Sequence, residues 1–233
     1  MSAARFGSFT VGFSLVAFDT AEQVRRFDGQ FAERFAREGL YELSYTTPAG
    51  VLGELGFLRG RVVSSHAPCP PAECFPNLGS RDGQVAAESL ETIRRSAATV
   101  AAFGADILVL HPGYTTDAGV PSDTQRRLAS LGSPREDPSW LWLEQGSICR
   151  RGYCASPRYR RHLCVAIENL REASRLCGGQ GVRLAVENLN PRLTYLFQLP
   201  EELAALAREI PELVFCVDLG HLWISSLVHG FEF

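Results

Sequence analysis

Four apolar segments of the sequence each end in side chains that can bind a metal ion. Three of them run into His66, His111 and Glu187, and a fourth runs into Asp218 and His221, which are three residues apart. Imidazole nitrogen and carboxylate oxygen suit Zn, Mn, Fe or Co, and at least three such groups must converge for tight binding. The pattern therefore predicts a divalent-metal centre, provided that the fold brings the four segment ends together.

Each of these residues also has a structural explanation when taken singly. An Asp such as Asp218 often caps the helix that follows it, and a lone His after a strand is often a packing residue. A near-repeat within the chain separates the alternatives: Glu168 and Glu187 occupy almost the same short string, Ala-Ile/Val-Glu-Asn-Leu. Glu168 falls in the middle of a predicted helix and should face solvent, whereas Glu187 follows a strand. Only Glu187 is predicted to be a ligand.

The elements that must position these residues alternate between strand and helix. Strands are predicted at residues 9–15, 41–46, 61–66, 106–111, 182–187 and 213–218, and helices at 20–39, 82–103, 156–178 and 200–209. The later strands are continuous Val, Ile and Leu runs, as in a parallel sheet that is buried on both faces. Alternation of this kind predicts an α/β fold of the parallel TIM-barrel type, whose active sites lie at the carboxyl ends of the strands.

Length sets the expected number of βα units. The 233 residues fit one domain, spanning residues 1–233, but few residues follow the sixth strand. A further parallel strand needs a crossover of at least about ten residues. We therefore expect about six of the eight βα units of a barrel, with the last two missing. The sheet edge at the sixth strand would then be exposed, and homo-oligomer formation through this edge is one expected consequence.

Composition excludes several classes of function. The net charge of −3 and the pI of about 6.0 provide no global attraction for nucleic acid or anionic membranes. All 23 basic residues are Arg, so no lysine is present to form a Schiff base. Seven cysteines, several of them within apolar segments, are typical of a reduced protein, and no segment is apolar enough to cross a membrane. These features predict a cytoplasmic location.

Five short motifs resemble those of the xylose isomerase-like barrel superfamily. They are His66-Ala67-Pro68, Asn77-Leu78-Gly79-Ser80, His111-Pro112-Gly113, Glu187-Asn188 and Asp218-x-x-His221, and the resemblance covers residues 9–223. This superfamily includes sugar and sugar-phosphate isomerases and epimerases, together with apurinic-site phosphodiesterases of the endonuclease IV type. The resemblance implies that Glu187 and Asp218 hold a Mn-type ion in an epimerase, where His221 contacts the substrate. In an endonuclease, His66, His111 and His221 join them in a zinc site.

Two functions follow from the resemblance, and the isomerase or epimerase is preferred. Its substrate would be a small sugar or sugar phosphate, with Glu187 and His221 as catalytic residues acting beside Mn or Zn. The His66 and His111 pair favours the phosphodiesterase instead. Against a nucleic-acid substrate, Cys69 stands where the endonucleases carry an aromatic residue, and the chain is acidic. A barrel fragment without catalytic activity is a third alternative.

Two further groups of residues are candidates for binding. Arg150 and Arg151 begin an arginine-rich stretch that could hold a phosphate, and Asn188 is predicted to contact the substrate beside Glu187. Two cysteine pairs share one spacing and could form a four-cysteine structural zinc site; they are Cys69 with Cys74, and Cys149 with Cys154.

Overall fold

The centre of the fold is a parallel sheet of six strands. The computed structural model describes residues 12–123, 126–127, 140–143 and 146–232. Within them the strands are β1 Gly12–Ser14, β2 Leu40–Leu43, β3 Val62–His66, β4 Cys74–Phe75, β5 Ile107–Leu110, β6 Val120–Pro121, β7 Trp140–Leu143, β8 Gly146–Cys149, β9 Arg183–Glu187 and β10 Val214–Cys216. The large sheet has the order β1-β2-β3-β5-β9-β10, and β4-β6 and β7-β8 form small antiparallel pairs.

Order along the sheet follows order along the chain. All five neighbouring pairs of the large sheet are parallel, as the sequence predicts. Consecutive parallel strands that lie side by side, each linked to the next by a crossover, are the repeating unit of a TIM barrel. Each strand of the large sheet overlaps a predicted segment, although β2 begins one residue before its segment and residues 9–11 of the first segment fall outside the described residues. The edges of this sheet are β1 and β10.

The helices pack beside the sheet and begin close to where their capping residues predict. They are α1 Ala21–Phe35, α2 Ala49–Glu54, α3 Gly83–Ala102, α4 Pro157–Gly178, α5 Pro200–Glu209 and α6 Leu219–His229. Thr20 and Gln23 form the predicted capping box, and the Ser156 hydroxyl accepts from the Tyr159 amide. One predicted end was wrong: α1 stops at Phe35, because Ala36 adopts a left-handed φ of 50° before Gly39 is reached. Helix α2 was missed within a glycine-containing stretch.

The main core lies between the sheet and the helix pair α3 and α4. Ile93 and Val100 of α3, Leu170 of α4 and Leu108 of β5 are each fully buried. The three arginines beside His162 in the sequence, Arg158, Arg160 and Arg161, predict a surface position for it, but this prediction is wrong. His162 shares the inner face of α4 with Tyr159, Ala166 and Leu170 and is 3% exposed. Its Nδ1 atom is 2.7 Å from the Gly79 carbonyl oxygen. His162 is buried because it lies on the face of α4 that packs against the sheet, whatever the polarity of the arginines beside it in the sequence.

The surface beside edge strand β10 carries exposed apolar side chains. Beyond β10, the side chains of Val217, Leu219, Trp223 and Leu227 are each more than half exposed. Within the described residues, no helix has the length and hydropathy needed to span a membrane.

Candidate metal centre

Glu187 lies at the middle of the predicted site and is 4% exposed. Its Oε2 atom is 3.3 Å from Nε2 of His66 and 3.3 Å from Nε2 of His111. Its other oxygen, Oε1, is 3.4 Å from Nδ1 of His221. One carboxylate thus faces imidazoles on two sides. The structure brings together the residues that the sequence predicted as ligands.

Neighbouring strands explain why these side chains meet. His66 is the last residue of β3, His111 follows β5 directly and Glu187 is the last residue of β9. Strand β5 pairs with both β3 and β9, so all three residues leave the sheet at the same edge. Parallel strands place their carboxyl ends together, and a barrel uses this end for its active site.

Asp218 and His221 complete the site from the last strand. Asp218 is the N-cap of α6, because its Oδ1 accepts from the His221 amide at 2.7 Å. The helix-capping explanation is therefore correct for one oxygen of this residue. The other oxygen, Oδ2, lies 3.6 Å from Nδ1 of His221, which also meets the Asn188 carbonyl at 3.0 Å. Capping fixes the rotamer of Asp218 and leaves Oδ2 facing the site.

Asn188 holds this second half in place. Its side chain donates to the Asp218 carbonyl at 2.9 Å and accepts from the Asp218 amide at 2.8 Å. This pair of bonds ties the end of β9 to the loop after β10. Asn188 thus fixes the position of Asp218 relative to Glu187 and is 2% exposed.

The residues present fit a divalent cation. Two groups of three side chains have potential ligand atoms that all lie within 4.8 Å of one another: His66, His111 and Glu187, and Glu187, Asp218 and His221. His66 Nε2 and Glu187 Oε2 are buried, and within the described part of the chain neither has a hydrogen-bond partner. Buried polar atoms in proteins are normally satisfied, so this convergence is better explained by a bound ion than by packing. The donor set of nitrogen and oxygen suits Zn or Mn.

The charges within the site follow from burial and from the neighbouring groups. Burial, reinforced by His111, lowers the pKa of His66 to about 4, so its imidazole is neutral near pH 7. Burial acts to raise the pKa of Glu187, but the adjoining His111 and His221 side chains outweigh it and hold this pKa well below its usual range. Burial acts to lower the pKa of His221, while Glu187, the Asn188 carbonyl and Asp218 raise it overall. An ionised carboxylate between imidazoles is the form that binds a cation.

A second interior carboxyl group was not predicted. Glu42 lies on β2 between Tyr41 and Leu43, which are both fully buried, and its Oε2 accepts from the Ser64 hydroxyl at 3.3 Å. Burial raises its pKa, and the negative charge of Glu187 contributes in the same direction. Strand alternation in Leu40-Tyr41-Glu42-Leu43 places Glu42 on the opposite face from its neighbours, and this signal could have identified it.

Aromatic rings pack against the two histidines of β3 and β5. The Tyr45 ring meets the His66 ring at 5.4 Å between centroids, and the Phe75 ring meets the His111 ring at 5.9 Å. The two imidazoles contact each other edge to face at 4.8 Å. These contacts restrict both imidazoles before any ligand binds.

A cavity of about 190 Å³ adjoins the ligand cluster. His111 and His221 lie in its wall together with Tyr45, Phe75, Tyr114, Tyr195, Leu189, Asn190, Arg127 and Arg192. The predicted phosphate ligands Arg150 and Arg151 are not among these residues. Arg151 lines a separate cavity of about 350 Å³ beside His229, and Arg150 is exposed. Sequence proximity could not distinguish them from Arg127 and Arg192, which the fold brings to the site.

Two glycines allow the loops above the site to approach closely. A Cβ atom on Gly79 would lie 2.4 Å from the Tyr114 carbonyl oxygen, and one on Gly113, whose φ is +140°, would lie 2.6 Å from the Gly79 nitrogen. Buried Asn77 joins the same loops by accepting from the Tyr114 amide at 2.9 Å. The segments after His66 and His111 are therefore fixed to each other, which positions both histidines.

Comparison with known proteins connects the chain to one fold. Residues 148–229 match the family model described as a xylose isomerase-like TIM barrel. No curated protein matches the chain in sequence.

Several solved structures resemble the chain. A D-tagatose 3-epimerase-like protein has a TM-score of 0.57 and 19% identity, over 91% of this chain and 66% of that one. An L-ribulose 3-epimerase has a TM-score of 0.58 and 18% identity, over 91% and 61%. A 3-keto-D-glucoside 4-epimerase from E. coli has a TM-score of 0.56 and 12% identity, over 90% and 67%. The chain spans less than two thirds of the length of the first two. The resemblance predicted from the strand-end motifs is confirmed: the chain has the fold of the xylose isomerase-like TIM barrels.

Proposed function

We propose that the chain carries the metal centre of a divalent-metal-dependent isomerase or epimerase of sugars or sugar phosphates. The observation that carries this proposal is Glu187, a buried carboxylate each of whose oxygens faces a different group of ligands. The ligands proposed for Mn or Zn are Glu187, Asp218, His221, His66 and His111. The similar solved structures are named as sugar 3- and 4-epimerases, which supports this class of reaction.

The roles of the side chains follow from their contacts. A divalent ion held by these ligands would supply Lewis-acid polarisation of a carbonyl–hydroxyl pair, which acidifies the adjoining C–H bond. Glu187, a carboxylate held ionised by its neighbours, would accept the proton from that carbon. Return of a proton to the neighbouring carbon would complete an isomerisation, and return to the opposite face of the same carbon would complete an epimerisation. His221 has Nδ1 directed to Glu187 and to the Asn188 carbonyl, so Nε2 is left to contact a substrate hydroxyl. Glu42 is a second interior carboxyl group that can carry a proton.

Cavity size and lining favour a small anionic or polar substrate. At about 190 Å³ the space is below the ~300–1,000 Å³ of typical drug-sized ligand sites, which suits a single sugar. Arg127 and Arg192 supply guanidinium groups of the kind that bind phosphate, while Tyr45 and Tyr195 offer flat rings and hydroxyls. Asn188 contributes indirectly, because it positions Asp218. We propose that Arg127 and Arg192, and not Arg150 and Arg151, contact a phosphate.

Proton exchange at carbon tests this proposal. The chain, loaded with Mn or Zn, is incubated in deuterated water with a panel of ketoses and their phosphates, and deuterium at the carbons beside the carbonyl is followed by NMR. We expect exchange with at least one substrate, abolished in Glu187→Gln. Glu168→Gln is the matched control, because Glu168 occupies the near-identical string on the exposed face of α4. Exchange that survives Glu187→Gln would contradict the role of Glu187.

The phosphodiesterase remains a second candidate because one observation favours it. The two ligand groups share Glu187, an arrangement that suits two ions bridged by one carboxylate, and clustered ions stabilise an in-line displacement at phosphorus. Cleavage of an abasic-site duplex with Zn, without deuterium exchange into any sugar, would replace the first proposal by this one. The absence of both activities together with retained metal binding would favour the catalytically incomplete barrel.

A further inference from the structure

A second cluster of metal-type side chains lies away from Glu187. Cys149 is the last residue of β8, Cys154 lies in the short 3₁₀ turn Tyr153–Ala155, and His229 is the last residue of α6. His229 Nε2 is 3.9 Å from the sulfur of each cysteine. Gln198, just before α5, directs its Oε1 to all three, at 3.1 Å from Cys149 Sγ, 3.7 Å from Cys154 Sγ and 3.0 Å from His229 Nε2.

The orientation of the Gln198 amide is fixed by its other end. Its Nε2 donates to the carbonyl oxygens of Arg192 at 2.9 Å and Tyr195 at 2.7 Å, and the residue is 1% exposed. The side-chain oxygen must therefore face the thiols and the imidazole. It offers two lone pairs to three neighbours, so hydrogen bonds alone do not account well for the convergence.

We propose that Cys149, Cys154 and His229 bind a zinc-class ion, with Gln198 Oε1 in the fourth position. Zn–S and Zn–N bonds of about 2.3 and 2.0 Å in a tetrahedron place sulfur and nitrogen about 3.5 Å apart. The observed separations of 3.9 Å are close to this value. Two thiolates neutralise the charge of the ion, which lowers the cost of burying it.

Binding requires two changes at the cluster. The ligand atoms are spread more widely than those around Glu187, which lie within 4.8 Å of one another, whereas a tetrahedral site needs the two sulfurs about 3.8 Å apart. Metal binding therefore requires the side chains of Cys149 and Cys154 to move closer together. Burial raises the pKa of Cys149 to about 12 and raises that of Cys154 further, so both thiols are protonated without metal. The ion displaces both protons to solvent, and its affinity therefore increases with pH.

A cavity beside the cluster provides an entry path for an ion, and a bound ion would link two elements of the fold. Cys154 and His229 lie in the wall of the cavity of about 350 Å³, through which an ion reaches the cluster. Bound there, the ion would join the end of β8 to the end of α6, although these residues are 80 positions apart in the sequence. Helix α6 also carries His221 in its first turn, so the ion would fix the helix that positions the outer half of the metal centre. This differs from the predicted four-cysteine site, because Cys149 and Cys154 are partnered by Gln198 and His229.

Cobalt spectroscopy tests the site directly. The full chain is titrated with Co²⁺, and the near-ultraviolet absorption of thiolate-to-cobalt charge transfer is recorded. The ligands proposed around Glu187 contain no sulfur, but Cys216 is paired with Glu187 in the sheet, so Cys216→Ser is recorded as a further control and should keep the band. We expect the band in the unmodified chain and in Cys164→Ser, a control at an exposed cysteine, and its loss in the double variant Cys149→Ser, Cys154→Ser. No band in the unmodified chain, or a band that persists in the double variant, would overturn the proposal.

A second measurement needs no variant and so does not depend on how the variants fold. The unmodified chain is alkylated in urea just below its unfolding transition, with Zn²⁺ or with a chelator, and each cysteine is followed by mass spectrometry. We expect Zn²⁺ to slow modification of Cys149 and Cys154 at least tenfold, with little change at Cys164. Equal rates with Zn²⁺ and with chelator at both residues would refute the site.

Discussion

The two halves of the candidate metal centre share Glu187 but are held in different ways. The inner half consists of His66 and His111, which lie at the carboxyl ends of strands β3 and β5 in the interior of the sheet. These side chains are 12% and 18% exposed. The outer half, Asp218 and His221, follows edge strand β10, and these side chains are 38% and 26% exposed. The interior of the sheet therefore preorganises one half, whereas a helix cap and the Asn188 side chain hold the other.

This difference suggests where the centre is most sensitive. The inner half is packed against the rings of Tyr45 and Phe75. The outer half depends on α6, whose outward face exposes Leu219, Trp223 and Leu227. Exposed apolar patches of this kind often mark interaction sites. We expect a substitution at Glu187 to weaken metal binding by both halves, and a substitution at any other proposed ligand to weaken binding by one half only.

The largest expected effect comes from the shared ligand. Glu187→Gln keeps the shape of the side chain but removes the charge that both halves use. We expect the affinity for Mn or Zn to fall by more than about 100-fold, beyond the ~10–100-fold typical of losing a supporting residue. Isothermal titration calorimetry measures the change, with Glu168→Gln as the control. An unchanged dissociation constant in Glu187→Gln would show that Glu187 is not a ligand.

The next test separates the two halves. His66→Ala should weaken metal binding by about tenfold or more with a modest effect on folding, since it removes one preorganised donor. Asp218→Ala should weaken binding and also cost ~0.5–2 kcal/mol of unfolding free energy, because it removes the N-cap of α6. Calorimetry and urea unfolding of the metal-free chains measure both quantities. Equal losses of unfolding free energy in the two variants would contradict the claim that only the outer half is held by a helix cap.

The pKa values of His66 and His221 provide another test of the difference between the two halves. In the metal-free chain the pKa of His66 is lowered to about 4, whereas that of His221 is raised above its ordinary value. Between pH 5 and the ordinary histidine pKa of about 6.5, His66 should therefore be neutral and His221 mostly protonated. NMR titration of the imidazole C–H signals measures both values, and His66→Ala and His221→Ala assign them. A higher pKa at His66 than at His221 would contradict the described environments.

The smallest expected effect on stability concerns the exposed face of α6. Replacing Trp223 and Leu227 by Glu should change the unfolding free energy by only about 0.5 kcal/mol per site, because both side chains are more than half exposed. If the β10 edge forms homo-oligomers, as its exposure leads us to expect, the same variant should be more monomeric in sedimentation velocity. Phe35→Glu is the control, at a residue on α1 that is also more than half exposed. Self-association that both variants leave unchanged would exclude this face as the interface.

The sheet and the convergence of the side chains at its strand ends could be predicted from sequence, because both depend on short-range patterns. Apolar runs identify buried strands, and a parallel arrangement places the residues after each run at one edge, so His66, His111 and Glu187 had to meet. The N-caps at Thr20 and Ser156 could also be predicted, because they depend only on residues in the first turn of each helix.

The remaining features depend on contacts between distant segments. Glu42 was missed because β2 is short and only its alternation shows the inward side chain. The burial of His162 depends on the phase of α4 against the sheet. The positions of Arg127 and Arg192, and the meeting of Cys149 with His229, depend on how loops fold over the barrel end. No local pattern encodes these contacts.

The most direct test of the shared-carboxylate centre is anomalous diffraction from crystals of the chain grown with Mn²⁺ or Zn²⁺. We predict an anomalous peak within bonding distance of Glu187, either between Oε2 and the two Nε2 atoms of His66 and His111 or between Oε1, Asp218 and His221. Peaks at both positions would favour the two-ion phosphodiesterase, and one peak beside Asp218 and His221 the epimerase. Crystals of a metal-loaded chain with no peak within bonding distance of Glu187 would contradict the account.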